Sequence, residues 1–448
     1  MIELAYSRLR RSLGLFPNYA TIIGTLIGAG IFVVTGQAGA QAGPSVPIAY
    51  LVLFPVVLAT AVPYMTFLST PLGERPGGEY LDISRTSGSF YSGFMALWFK
   101  WMAYIGATGV LALSFGQYLN FFIPGVNPIF VGAVLLIIFY FTNLLGVGVY
   151  GRTEVIMTGI KLVAIAILVI PGLFTIKMSN FTPLFPFGLN GFTSILPSIF
   201  FAYAAFEAVG ELSGETKDPR KTMPRVFFFG ILITMIIYFL MSFVAFGNMP
   251  FISLSKSGSA MASVASHYLP FAGSAIVAIG ALMAFTSAIN GTFMAPPRFL
   301  MVMSEDNLLP SVFSHVNKRF KTPDFALTIN LVVALFLMLT GTLQYILSIT
   351  LQALFINYML LDLALIALPF MNKKLYESAF VKPSKFLMIL SAGFSFGSLM
   401  FFSYKLIFGS WELILISGLA GSSVYLYSKL KSKEKIIALK ESIEHEFE

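Results

Sequence analysis

Hydrophobic residues in this chain collect in runs of about twenty, parted by short polar segments. That length matches the roughly 30 Å of hydrocarbon in a bilayer at about 1.5 Å of helical rise per residue. Twelve such runs are legible, near 18–40, 47–70, 89–118, 128–147, 153–174, 191–211, 226–247, 271–301, 324–341, 345–369, 386–408 and 411–428. The pattern predicts an all-α integral membrane protein with twelve transmembrane helices. The third and eighth runs exceed the minimum and are expected to tilt or to project beyond the lipid.

Twelve crossings put successive loops on alternate sides, and Lys and Arg are expected to gather in the cytoplasmic ones. Of the 28 basic residues all but five fall on one side, from Arg8, Arg10 and Arg11 through Arg75, Arg85, Arg152, Lys217–Arg225, Arg298 and Lys318–Lys321 to Lys373–Lys385 and the tail. The exceptions are Lys177 and Lys256 in opposite loops, Lys405 near an outer helix end, and Lys100 and Lys161 inside runs. A multi-pass protein of the cell membrane with both termini cytoplasmic is therefore expected. The net charge of +8 then records orientation, and no nucleic-acid partner is expected. Arg8 to Arg11 before an apolar run also invite a signal-peptide reading, but the run exceeds the roughly 7–15 residues of a signal core and is expected to stay.

Composition agrees: 57% of residues are hydrophobic and 11% charged, against about a quarter charged in soluble domains. The chain has no cysteine, which excludes disulfides, thiolate-bound metals and thiol catalysis. Its three histidines, His267, His315 and His445, fall in loops or the tail, so no cofactor or intramembrane metal is expected. A channel would want a filter or a charged ring, and an intramembrane hydrolase a paired Asp, a His cluster or a Ser with a base; the runs contain neither.

Function must come from irregular runs, because buried charges and helix-weakening glycines cost stability. The first run holds Gly24-Thr25-Leu26-Ile27-Gly28-Ala29-Gly30-Ile31-Phe32, and the sixth holds Ser198 to Glu207 just after Pro197. A helix broken inside the bilayer offers amides at one half-helix and carbonyls at the other, which suits a zwitterion. The alternative is that Gly24, Gly28 and Gly30 only allow close helix packing. Lys161 lies about 12 Å inside the fifth run, roughly twice the depth from which a lysine snorkels, and is a candidate for reversible protonation. Glu207, Glu211 and Glu215, at i, i+4 and i+8, would share one α-helical face as a proton relay, or Glu211 and Glu215 pair with basic loops and Glu207 alone lies near substrate. Asp362 and Lys405 fall close enough to helix ends to reach water.

At these residues the sequence resembles the amino acid, polyamine and organocation (APC) transporter superfamily, in particular its prokaryotic proton-coupled amino acid permeases, from about residue 15 to 370. The markers are Ile27-Gly28-Ala29-Gly30-Ile31-Phe32, then Arg75-Pro76-Gly77-Gly78-Glu79-Tyr80, then Phe206-Glu207 with Gly214-Glu215-Thr216-Lys217-Asp218-Pro219 and Pro224-Arg225, then Pro297-Arg298, Asp306, Leu309-Pro310 and Thr322-Pro323. Glu305 and Asn307 depart from the Arg and Gly expected beside the Asp, and Lys100, between Trp98 and Trp101, is not part of the pattern.

The resemblance implies a secondary active transporter, not an enzyme, with a LeuT-like 5+5 inverted repeat. That divides the chain into 1–17, a first repeat at 18–174, a second at 191–369, two further helices within 386–428 and a tail at 429–448. It implies a small-molecule substrate, amino acid or amine, held by amides of Gly28, Ala29 and Gly30 and carbonyls of Ile27, Phe201 and Ala204, with Ala202, Tyr203 and Glu207 around it and Phe201 and Tyr203 as aromatic gates. It also implies protons as the coupling ion: Lys161 matches the fifth-helix lysine that stands where sodium-coupled relatives bind Na⁺, with Thr286 and Ser287 as hydroxyl partners. Polyamine transport and amino acid exchange on the same fold are the alternatives.

Overall fold

A computed structural model describes residues 13–74, 78–145, 150–317, 319–320 and 322–431, with the side chains at 150–155, 211, 212, 214, 215, 340 and 407–410 left outside that description. The basic N-terminal segment, residues 75–77 of the loop motif, Lys318, Lys321 and the tail beyond 431 lie outside the described residues.

Regular structure among the described residues is helical. Helix α1 (Leu15–Leu26) leads through a π-turn (Gly30–Val34) into α2 (Thr35–Ala42) and then α3 (Val46–Leu68). A short α4 (Gly78–Ser87) precedes α5 (Phe90–Leu119), α6 (Pro128–Leu145) and α7 (Tyr150–Leu173). Helix α8 (Gly188–Phe200) breaks into two 3₁₀ segments, Phe201–Tyr203 and Phe206–Glu215, before α9 (Pro219–Asn248). Then follow α10 (Phe271–Met294), α11 (Pro296–Glu305), α12 (Asp324–Thr340), α13 (Leu343–Met371), α14 (Lys373–Ser378) and α15 (Lys385–Lys431). Side chains cap two helix starts: Ser89 accepts from the Ser92 amide at 3.2 Å ahead of α5, and Thr342 from the Tyr345 amide at 3.3 Å ahead of α13.

Ten helical segments among the described residues are long and apolar enough to cross a membrane. Leu15–Leu68 counts as one of them although it holds the first two sequence runs, and α12 is apolar but shorter than the rest. The protein is a multi-pass membrane protein. Large apolar side chains such as Phe130, Phe174, Leu339, Phe370 and Phe386 face outward, as a lipid-facing surface requires. Helix α15 makes contacts whose depth reverses along its length. Ser395 meets Thr60 and Ser403 meets Gln352 on the way out, whereas Ser417 meets Trp98 and Ser422 meets Tyr91, at the other end of α5. The two arms of α15, Lys385–Leu406 and Trp411–Lys431, are each long and apolar enough to cross a membrane.

The interior forms around α5 and α13, which pack on each other, with α10 against α5 and α7 and α9 against α3. Glycines set the closest approaches, as expected where helices associate without a hydrophobic driving force. A Cβ at Gly116 would lie 2.5 Å from the Pro128 carbonyl oxygen, where backbone cannot yield, whereas Gly159 faces open space. Gly116→Ala is expected to cost about 1–3 kcal/mol by overpacking, read as a lowered melting temperature in detergent. Gly159→Ala, a helix-favouring change at a free surface, is expected to hold or raise it.

Candidate functional site

Both glycine- and small-residue-rich runs lose α-helical bonding where the sequence places the irregularity. At the end of α1 the Ile27 amide still bonds Ile23 at 3.1 Å, but Ile27 itself turns extended (φ −73°, ψ 95°). In the second break Ala204 is extended (ψ 155°) and Ala205 sits in the left-handed region at φ 71°. The two breaks touch: a Cβ on Gly30 would fall 2.3 Å from the Ala202 Cα. Gly30 therefore answers to the packing alternative, while Gly28 has room, its Cβ direction meeting Leu111 and Ala288 at ordinary contact distances of 3.6 and 3.7 Å.

Breaking a helix strands its carbonyls, and side chains from neighbouring helices supply the missing donors. Lys161 Nζ donates to the Gly24 carbonyl at 2.7 Å and to Ser287 Oγ at 2.9 Å. Tyr238 Oη donates to the Leu26 carbonyl and to the Ala202 carbonyl, the latter at 2.8 Å. Tyr118 Oη donates to Phe32 at 2.7 Å, and Thr35 Oγ1 adds at 2.9 Å to the Gly30 carbonyl, which already takes the Thr35 amide. The Phe201 carbonyl takes the Ala204 amide at 3.1 Å, which leaves it one lone pair. Amides of Gly28, Ala29 and Gly30 stand at the start of the second half-helix, where intrahelical partners run out.

The sequence-predicted residues separate accordingly. Lys161 is fully buried on α7 and joins the first break to α10 through Ser287. The Thr286 hydroxyl donates to the Leu282 carbonyl of its own helix at 2.7 Å. Successive residues on a helix point about 100° apart, so only one of the pair can face Lys161. Tyr203 is buried, its hydroxyl on the Tyr50 carbonyl at 3.0 Å and its ring against Tyr50 and Tyr238, a packed position in this conformation. Phe201 and Ala202 are buried with it, and Ala204 is partly so.

Glu207 is buried and held by two phenols, Tyr104 Oη at 3.1 Å and Tyr358 Oη at 2.7 Å. The segment Phe206–Glu215 is a 3₁₀ helix, in which residues three apart eclipse. Glu207, Glu211 and Glu215 therefore step about 120° apart around it. The shared α-helical face expected from the i, i+4 spacing does not form; the side chains of Glu211 and Glu215 lie outside the described residues.

Lys100 has a partner that sequence reasoning did not name. Its Nζ lies 2.8 Å from Glu79 Oε2, both residues being buried, and over the Phe299 and Tyr104 rings at 4.9 and 5.7 Å. Tyr64 Oη caps the other Glu79 oxygen at 2.6 Å. Glu79 was legible only as part of a loop motif. What brings it to Lys100 is the packing of α4 against α5.

Set beside known proteins, residues 13–419 match the family model described as amino acid permease. The chain belongs to the amino acid permease family. It is similar to a methylthioribose transporter of Bacillus subtilis (29% identity, 95% of each chain). It is likewise similar to the branched-chain amino acid permease BcaP of the same organism (28%, 70% of this chain and 71% of the relative) and to its serine/threonine exchanger SteT (27%, 95% and 98%).

In this permease the loop motifs staple helix ends together. Arg220 bonds the Ser69 carbonyl at 2.9 Å and the Ser378 carbonyl, and the Lys217 amide bonds Leu13 at 2.9 Å. Tyr80 Oη donates to Asp306 Oδ2 at 2.6 Å; burial pushes the Asp306 carboxyl above the usual carboxylate range, and the Tyr80 bond opposes that shift. Asn307, where the family pattern has Gly, is left-handed at φ 60°, a conformation Asn tolerates. The departure thus preserves the backbone that the Gly would provide.

Gly28→Ala is expected to leave the permease's melting temperature near wild type, and Gly30→Ala to lower it by separating the two breaks. Tyr238→Phe removes the donor shared by Leu26 and Ala202 and is expected to cost about 1–3 kcal/mol, with a matching loss of thermal stability in detergent.

Proposed function

We propose that this permease is a secondary active importer of amino acids across the cell membrane, coupled to protons through Lys161. In this reading twelve helices with both termini cytoplasmic form an inverted repeat of 18–174 and 191–369, followed by two further helices within 386–428. Substrate binds where the two broken helices meet, in an alternating-access cycle. Its carboxylate takes amides near Gly28, its ammonium takes carbonyls near Ile27 and Ala204, and Glu207 lies beside it.

The observation that carries the reading is the placement of the Lys161 ammonium between the Gly24 carbonyl and Ser287. A charged amine there replaces the amide that Gly24 would otherwise receive from its own helix. Losing the proton removes a charge-assisted bond from one side of the break, so protonation and helix geometry are linked. Family membership supports amino acid transport, and the names of the relatives widen the panel worth testing to branched-chain amino acids, serine, threonine and methylthioribose, beside polyamines.

In proteoliposomes, uptake is expected to rise as the outside is acidified, to need no Na⁺ and to collapse with a protonophore. Lys161→Ala is expected to abolish accumulation while substrate-induced thermal stabilisation survives, and Lys161→Arg to fail as well, because a guanidinium stays protonated. Sodium-driven uptake, or uphill accumulation by Lys161→Ala, would overturn the coupling assignment.

A further inference from the structure

We propose that Asp362 binds a proton at a second ion site, separate from Lys161, formed with Ser395 and Thr60 where α13 meets α3 and the first arm of α15. Asp362 is fully buried, and neither of its carboxylate oxygens has a hydrogen-bond partner among the described residues. Ser395 lies beside it without a formed hydrogen bond, and the Ser395 hydroxyl is 2.9 Å from that of Thr60. The three residues sit at a common depth, about 12 to 15 Å from the helix ends at Leu68, Met371 and Lys385. The expectation that Asp362 reaches water at a helix end is thereby corrected, because α13 runs on through Pro369 to Met371 and α15 covers the residue. Lys405, by contrast, is exposed.

An ionised carboxylate at that depth needs a cation or several donors. No charged neighbour supplies one. The packed elements carry Glu79, Asp82, Arg85 and Lys100 (α4, α5), Asp324 (α12), Lys373, Lys374 and Glu377 (α14), and Lys385, Lys405, Glu412, Lys429 and Lys431 (α15). None of these groups hydrogen-bonds either Asp362 oxygen among the described residues. Nor does Tyr64 on α3 or Tyr358 on α13, whose hydroxyls serve Glu79 and Glu207. A metal ion would want about six oxygens, more than one carboxylate and two hydroxyls offer. A proton completes the site alone: it converts the carboxylate into an acid that donates to a hydroxyl oxygen.

The test is infrared spectroscopy of the full chain in lipid, following the carbonyl stretch of buried carboxylic acids through an alkaline titration. Wild type is expected to show a band that disappears reversibly as pH rises and that 100 mM-range sodium at fixed pH leaves untouched. Asp362→Asn is expected to lack it, Asp362→Glu to keep it at a shifted frequency, and Lys161→Ala to keep it unchanged. Identical spectra for wild type and both Asp362 variants, or a band removed by sodium at constant pH, would overturn the proposal. Loss of the band in Lys161→Ala would merge the two sites and overturn their separation.

Discussion

Hydrocarbon offers a broken helix no water, so each carbonyl freed by the break must find its donor inside the protein. The centre of this permease is organised by that constraint. Gly24, Leu26, Phe32 and Ala202 carbonyls are met by Lys161, Tyr238 and Tyr118 from three different helices. Each of these donors is buried, and each fixes its own helix relative to the breaks. The unwound segments are thus held by hydrogen bonds that cross between helices, where an intact helix would have kept them to itself.

The two intramembrane lysines solve the problem of burying an ammonium in different ways. Lys161 leans on the Gly24 carbonyl and the Ser287 hydroxyl. Lys100 is neutralised by Glu79 and flanked by aromatic faces, an arrangement that costs much when one partner is removed and less when both are. The first leaves its charge dependent on one helix break; the second ties α4 to α5 whatever that break does.

Where the helices break was legible because glycine and small-residue clusters weaken α-helical bonding locally, and the breaks fall at Ile27 and Ala204. Lys161 was legible because a lone lysine that deep has few structural excuses. What sequence did not carry was rotational phase and pitch. Ser287 and not Thr286 faces Lys161 because of how α10 is turned, and a 3₁₀ pitch after Phe206 undoes the i, i+4 face of the three glutamates. The Glu79–Lys100 pair depends on how a short helix folds back against α5, and Asp362 on a helix two residues longer at its end than its run of apolar residues suggested.

One hydroxyl carries a consequence of its own. Tyr238 Oη reaches carbonyls from both breaks, Leu26 in the first and Ala202 in the second, yet a phenol has a single proton to give. At any instant one of the two carbonyls holds the better share of it. The centre of the protein therefore possesses two hydrogen-bond arrangements related by rotation of one O–H, and a displacement of either unwound segment selects between them without breaking the structure that holds both.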